Sequence, residues 1–218
     1  MKVSSDLLND SWNSIKYIID KLGNYFFPST SGNVSVRKDG LVFCTPSSVR
    51  KTELTIDKLS VVDFQNNLLR GMKQTSEINL HLEIYKNFPD VDFVVHTHPL
   101  FCSIFACSRK KIRLDLLPEY YLKIGKIVYV RYITPGTIEL ALEVVEKVKK
   151  ERGIVFEAIV LMRNHGLVVF SNNLQRAVDL SFCVEEIAKI NYLVSLLGNP
   201  IAISRKNLLE LDKYLNFK

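Results

Sequence analysis

The chain has 218 residues, 47% of them hydrophobic and 24% charged, with a formal charge of +6 and a pI near 9.1. That balance suits one or at most two globular domains with a real core, and no apolar run approaches the roughly 18 residues of a membrane span. The basic residues fall in small clusters, such as Arg109-Lys110-Lys111 and Lys147 to Lys150, interleaved with Glu and apolar positions. They read as solvated helix faces, and with no helix-turn-helix, RNP or zinc-finger spacing the positive balance points away from nucleic acid and towards a small anionic substrate.

The N-terminus, Met1-Lys2-Val3-Ser4-Ser5-Asp6, carries no hydrophobic signal region, and the four cysteines (Cys44, Cys102, Cys107, Cys183) form no C-x-x-C pair. Reduced, mostly buried thiols in a cytoplasmic protein are expected.

Leu8, Trp12, Ile15, Ile19 and Leu22 recur at three- and four-residue steps, which predicts an amphipathic helix over 5–22 closed by Gly23. The polar loop Ser29-Thr30-Ser31-Gly32-Asn33 leads into a short alternating strand, Val34 to Arg37. Lys38-Asp39-Gly40 is a hairpin turn into Leu41 to Thr45, and Pro46-Ser47-Ser48 breaks that strand with a second hydroxyl-rich loop. Leu59 to Phe64 reads as a strand and Gln65-Asn66-Asn67 as a turn. A helix is predicted from Ser76, which is placed to cap it, up to Pro89, with Glu77 in its first turn.

The apolar run Val91 to Pro99 follows as a strand, and Leu100 to Cys107 as a helix. The stretch Leu114 to Tyr132 is ambiguous apart from a strand at Ile127 to Arg131. Gly136-Thr137 opens a helix running to Gly153, with Leu140, Val144 and Val148 in one stripe. Ala158 to Met162 and Leu167 to Phe170 are strands flanking Arg163-Asn164-His165-Gly166, residues 173–197 form a long helix ending at Gly198, and one short helix is expected after Pro200. The economical architecture is a single α/β domain over residues 1–218 with an antiparallel-rich sheet.

Two of the four histidines lie in Phe93-Val94-Val95-His96-Thr97-His98-Pro99. Side chains alternate along an extended strand, so His96 and His98 project to one side, about 7 Å apart along the chain, and can bite one metal ion. His165, in a turn at the end of two strands, would complete three neutral nitrogen ligands, the count of a catalytic zinc that keeps a position open. Glu77 and His81 stand four apart on one helix, so either could join the cluster. A carboxylate would offset the ion's charge and move protons when a substrate oxygen displaces it, whereas His81 reads better as a core-facing histidine behind the site. Gly32 lets backbone amides approach a ligand, Asn33, Ser47, Ser48, Thr75 and Ser76 offer hydrogen bonds, and the helix opening at Ser76 attracts anions. Together they are a candidate phosphate cradle. Two other His-x-His families fit badly: cupins place a Glu shortly after the pair, where Leu100-Phe101-Cys102-Ser103 stands, and barrel amidohydrolases need about 250 residues.

Read in order, Ser31-Gly32-Asn33-Val34-Ser35-Val36-Arg37, Thr45-Pro46-Ser47-Ser48, Ser76-Glu77 with His81, His96-Thr97-His98 and Asn164-His165-Gly166 resemble the class II aldolase/adducin family. The resemblance implies an α/β/α fold around a mostly antiparallel sheet, and a zinc ion, or another divalent metal such as Mn2+ or Co2+, on His96, His98 and His165. Glu77 is then a ligand at rest and an acid/base in turnover, and substrate phosphate sits at Gly32, Asn33, Ser47, Ser48, Thr75 and Ser76.

It implies a carbon–carbon lyase that splits a (deoxy)ketose 1-phosphate such as L-fuculose 1-phosphate into dihydroxyacetone phosphate and an aldehyde through a metal-stabilised enediolate. A homotetramer with active sites between subunits is implied as well. The fuculose enzyme of the family has a glycine where Ser48 stands, and its tyrosine from the neighbouring subunit falls where Tyr120 and Tyr121 are both candidates. The epimerase branch carries Asp at the position of Glu77. Methylthioribulose-1-phosphate dehydratase and sugar-acid phosphate decarboxylase activities are the alternatives at the same metal, and a non-catalytic adducin-like association domain is a third.

Overall fold

The structure is a computed structural model that describes residues 3–216. Helix α1 (Ser5–Phe26) starts at Ser4, whose side chain accepts from Leu7 N–H. Gly23 (φ 61°) breaks it as expected, but one further turn runs on to Phe26. Strands β1 (Asn33–Lys38) and β2 (Leu41–Cys44) form the predicted hairpin, with Asp39 and Gly40 both at positive φ. Two 3-10 turns, Lys51–Glu53 and Ile56–Lys58, lead to β3 (Ser60–Val62), which is shorter than predicted, and to β4 (Leu68–Arg70), to which the sequence assigns no element.

Helix α2 (Ile78–Asn87) begins later than expected. Glu77 occupies the N-cap position and Ser76 does not cap; instead Thr75 Oγ1 accepts from Glu77 N–H at 3.3 Å. The chain continues through β5 (Phe93–Thr97) and α3 (Leu100–Ala106). The ambiguous stretch contains α4 (Pro118–Ile124), opened by a proline in its first turn. Next come β6 (Ile127–Val130) and α5 (Ile138–Arg152), the latter capped by Thr137. Strands β7 (Glu157–Met162) and β8 (Leu167–Ser171), the long α6 (Leu174–Leu197) and α7 (Arg205–Asn216) complete the chain.

The strands make one sheet in the order β4-β3-β2-β1-β5-β8-β7-β6, antiparallel except for the β6–β7 pair. Helices cover both faces, so strand residues are buried on alternate sides. Ala158, Val160 and Met162 of β7 pack with α2 and α5, while Ile159 and Leu161 pack with α3, α4 and α6. On the same side as those last helices, α1 closes over Val34, Val36, Phe43 and Val95. This is the α/β arrangement expected from the alternating pattern, with a mostly antiparallel sheet. No helix among the described residues is long and apolar enough to cross a membrane.

Candidate metal centre and adjoining cleft

Strand register and helix pitch together build the site. Asn33 pairs with His96 across β1 and β5, and His96 with Val168 across β5 and β8, so the site lies at the centre of the sheet. Asn33, Ser35 and Arg37 alternate to the face that α2 covers, and Glu77, His81 and Tyr85 follow at four-residue steps along that helix. Two polar rows therefore face each other. Asn33 Nδ2 donates to Glu77 Oε2 at 2.9 Å, which leaves Asn33 Oδ1 to accept from His81 Nε2. That fixes His81 Nδ1 as the acceptor for Ser35 Oγ at 2.6 Å, and Tyr85 OH in turn donates to Ser35 Oγ at 2.7 Å. Arg37 lies over the Tyr85 ring. His81 is fully buried, and desolvation lowers its pKa to about 3.

At the top of this ladder His96, His98 and His165 converge, with ring nitrogens all within 4.8 Å of one another. His96 Nδ1–H donates to the Leu167 carbonyl at 3.0 Å, so its Nε2 lone pair faces the cluster. His98 lies one residue beyond β5, tied by its backbone N–H to the Phe26 carbonyl, and keeps the expected side. His165 comes from the β7–β8 turn, where Asn164 takes positive φ and Asn164 N–H donates to the Ala106 carbonyl. Gly166 makes room for the trio: a Cβ there would lie 2.6 Å from Thr97 O and 2.7 Å from His98 Cδ2.

From His96 Nε2 the distances are 2.9 Å to His98 Nε2, 3.1 Å to His165 Nε2 and 3.0 Å to Glu77 Oε2, and Glu77 Oε1 lies 3.2 Å from His165 Nε2. Ligands about 2.0–2.1 Å from a tetrahedral zinc stand about 3.3 Å apart, so these four side chains have the spacing of a coordination shell. Their charge agrees. Burial opposes ionisation of Glu77, but the charge and hydrogen bonds of His96 and His165 outweigh it and hold the carboxyl well below its ordinary range. Burial, then the neighbouring His96 and His165, lower His98 to about 3. One carboxylate and three imidazoles whose Nε2 atoms point inwards fit a divalent cation. Glu77 Oε1 is buried with nothing closer than His165 Nε2 at 3.2 Å, which fits a further ligand as well.

A polar cleft of about 200 Å³ opens beside the trio. Gly32 and Asn33 reach it from the first loop, Ser47 and Ser48 from the second, and Thr75 and Ser76 from the third, so the three segments read as a phosphate cradle are brought together. Ser47 N–H donates to the Lys73 carbonyl, and Pro46 bridges to Gln74. Gly32 has φ +71°, and a Cβ there would lie 2.8 Å from His96 O, so this loop packs directly on the histidine strand. Ser48, at the glycine position of the fuculose enzyme, keeps a glycine-like φ of 61°.

Tyr120 and Tyr121 do not reach the cleft of their own chain. Tyr120 is packed among the α3, α4 and α6 side chains, and Tyr121 OH donates to Asp212 Oδ2 at 3.0 Å. Three residues of this neighbourhood escape the sequence reading. Ser35 and Tyr85 belong to the ladder, and the i, i+4, i+8 run of Glu77, His81 and Tyr85 on a buried helix face was the available signal. Lys51, which lines the cleft, sits between Arg50 and Thr52 and carries no such signal.

Comparison with known proteins agrees with this geometry. Residues 22–192 match the family model described as "Class II Aldolase and Adducin N-terminal domain". A protein of Methanococcus vannielii named L-fuculose phosphate aldolase is 39% identical over 165 residues, 76% of this chain and 86% of that one. A Haemophilus influenzae protein named 3-oxo-tetronate 4-phosphate decarboxylase is 31% identical over 185 residues, 80% of this chain and 85% of its own length. A solved structure titled L-fuculose 1-phosphate aldolase superposes with a TM-score of 0.79 at 26% identity, covering 98% of this chain and 97% of that one.

Proposed function

The chain belongs to the class II aldolase and adducin family, and from that premise we propose that it is a zinc-dependent carbon–carbon lyase acting on a ketose 1-phosphate such as L-fuculose 1-phosphate. His96, His98 and His165 would hold the ion, with Glu77 as a fourth ligand at rest. The observation that carries this reading is the spacing of 2.9 to 3.2 Å from His96 to His98, His165 and Glu77 and from Glu77 to His165, beside a cleft of hydroxyl side chains.

When bound, a divalent cation supplies positive charge for the substrate oxygens next to the bond being broken. The chain's own groups do the rest. With substrate in place, Glu77 would take a proton from, or return one to, the carbon next to the carbonyl, and Asn33 Nδ2 holds the carboxylate in place for that transfer. Gly32, Asn33, Ser47, Ser48, Thr75 and Ser76 take the phosphate at the other end, which fixes the distance between phosphate and reacting carbon.

The aldehyde end is covered by a neighbouring subunit in a homotetramer, with Tyr121 as the candidate side chain, since Tyr120 is buried within its own chain. The exposed apolar residues Leu196, Leu197 and Ile201 support association of this kind. Four free cysteines support a reducing, cytoplasmic setting, and residues 1–218 act as one domain.

A second reading, loss of carbon dioxide from a sugar-acid phosphate at the same ion, is favoured by the decarboxylase relative; loss of water, as in the methylthioribulose branch, would use the same groups. Metal analysis of protein purified without chelator, followed by a panel of ketose 1-phosphates with product identification, separates them. About one zinc per chain and release of dihydroxyacetone phosphate are expected. Carbon dioxide or water release without a triose phosphate would overturn the aldolase reading in favour of the second, and a metal-free, inactive protein would leave an adducin-like association domain.

A further inference from the structure

Lys51 opens the 3-10 turn after the second cradle loop and is 4% exposed. Its ammonium donates to the Thr30 carbonyl at 2.8 Å and to the Val49 carbonyl at 3.0 Å, fastening the first cradle loop to the second. An ammonium has three donors, so one remains. No carboxylate pairs with Lys51 among the described residues.

Among the described residues it is also the one lysine or arginine lining the cleft. A buried positive charge without a counter-charge is costly, and a neutral donor would fasten two carbonyls as well. What a neutral donor cannot do is receive an anion.

We propose that Lys51 is the counter-charge for the substrate's phosphate, reaching it from the wall of the cleft with the donor that the two loop carbonyls leave free. The hydroxyls and amides of the cradle give the phosphate its orientation; Lys51 gives it charge compensation. The two dipolar carbonyls hold the ammonium against the loops in advance, so little side-chain freedom remains to be lost on binding. This rests on the phosphate reading of the cleft and adds to it a residue outside the hydroxyl-rich motifs.

The test is calorimetric titration of the metal-loaded protein with inorganic phosphate, which needs no turnover. Lys51→Gln, which retains an amide donor for the loop carbonyls, is expected to weaken phosphate about 10- to 100-fold with metal content unchanged, and Lys51→Arg to stay within a few-fold of the parent. Equal affinity in Lys51→Gln and the parent would overturn the role of Lys51 while leaving the proposed reaction standing. Failure of the parent to bind phosphate at all would sink both. Should Lys51→Gln not fold, a crystal structure of the parent enzyme with phosphate decides. Nζ within about 3.2 Å of a phosphate oxygen supports the proposal, and a phosphate seated in the cleft beyond hydrogen-bond reach of Nζ refutes it.

Discussion

Asn33 and His96 face each other as register partners across β1 and β5, and both reach the same oxygen: Glu77 Oε2 accepts from Asn33 Nδ2 at 2.9 Å and lies 3.0 Å from His96 Nε2. The amide that steadies the carboxylate and the imidazole beside it are thus placed by one backbone pairing. Below them the Asn33–His81–Ser35–Tyr85 chain has a single consistent set of donors and acceptors, starting from the Glu77 charge. A ladder of this kind fixes the carboxylate without any further charged group.

Glu77→Gln keeps the shape of the side chain and removes its capacity to carry a proton. Three histidines remain, so metal content is expected to stay near one ion per chain, while turnover falls by about 10²- to 10⁴-fold. Metal analysis beside a steady-state assay measures both. Turnover at the parent rate would remove Glu77 from the reaction.

Metal removal is expected to cost stability, because an ion that binds only the folded chain stabilises it by mass action, by about 4 kcal/mol at a thousand times its Kd. The melting temperature of the parent should fall on adding a chelator and recover with zinc. In His165→Ala the same treatment should have little effect. A chelator response that is equal in the two proteins would mean that His165 is not a ligand.

Gly166→Ala tests the packing of the trio. The added methyl would lie 2.6 Å from the Thr97 carbonyl oxygen and 2.7 Å from His98 Cδ2, and neither the backbone nor the half-buried ring, held among His96 and His165, can give way cheaply. Zinc affinity is expected to drop at least about tenfold, read by competition with a chromophoric chelator, together with a lower melting temperature. Parent-like zinc affinity would show that the rings can re-pack.

Much of this architecture is legible in the sequence because both sheet faces are buried. Apolar runs such as Ala158 to Met162 and the stripe Leu140, Val144 and Val148 each have one sensible reading. His96, His98 and Glu77 were legible as chemistry because period-two and period-four spacing place their side chains, and His165 because it stands in a turn between two apolar strands. Strand β4 was not, because Leu68 to Arg70 is exposed throughout and has no burial pattern to betray it. Helix α4 was hidden by its shortness, although Pro118 marks its first turn. Lys51 could not be found at all from its neighbours: a lysine beside Arg50 and near Glu53 reads as solvated surface until loops from elsewhere in the chain bury it.

Ser48 offers a test of the second cradle loop. Its φ of 61° lies in the left-handed region, where a side chain costs about 1 kcal/mol or more and glycine costs nothing sterically. Against that stands the greater freedom of glycine in the unfolded chain. Ser48→Gly is expected to be neutral to stabilising, by up to about 1 kcal/mol in urea denaturation. A clear destabilisation would show that the Ser48 hydroxyl makes a contact worth more than the strain.

The buried ammonium of Lys51 should leave a mark on stability as well as on binding. Desolvation lowers its pKa from 10.5 to about 8. Between those values the unfolded chain holds more protons than the folded one, so the contribution of this group to stability rises as pH climbs from about 8 to about 10.5. Below that window the burden of the buried charge is constant. Lys51→Met lacks the titration, so the parent's stability measured against this variant, without added phosphate, is expected to be flat near neutral pH and to shift in the parent's favour across the window. Urea denaturation of both proteins at matched pH values reads the difference directly, with all other titrating groups common to the two. A difference that stays constant through pH 10 would mean that Lys51 titrates like a lysine in water, and that its place among the loop carbonyls carries no desolvation cost.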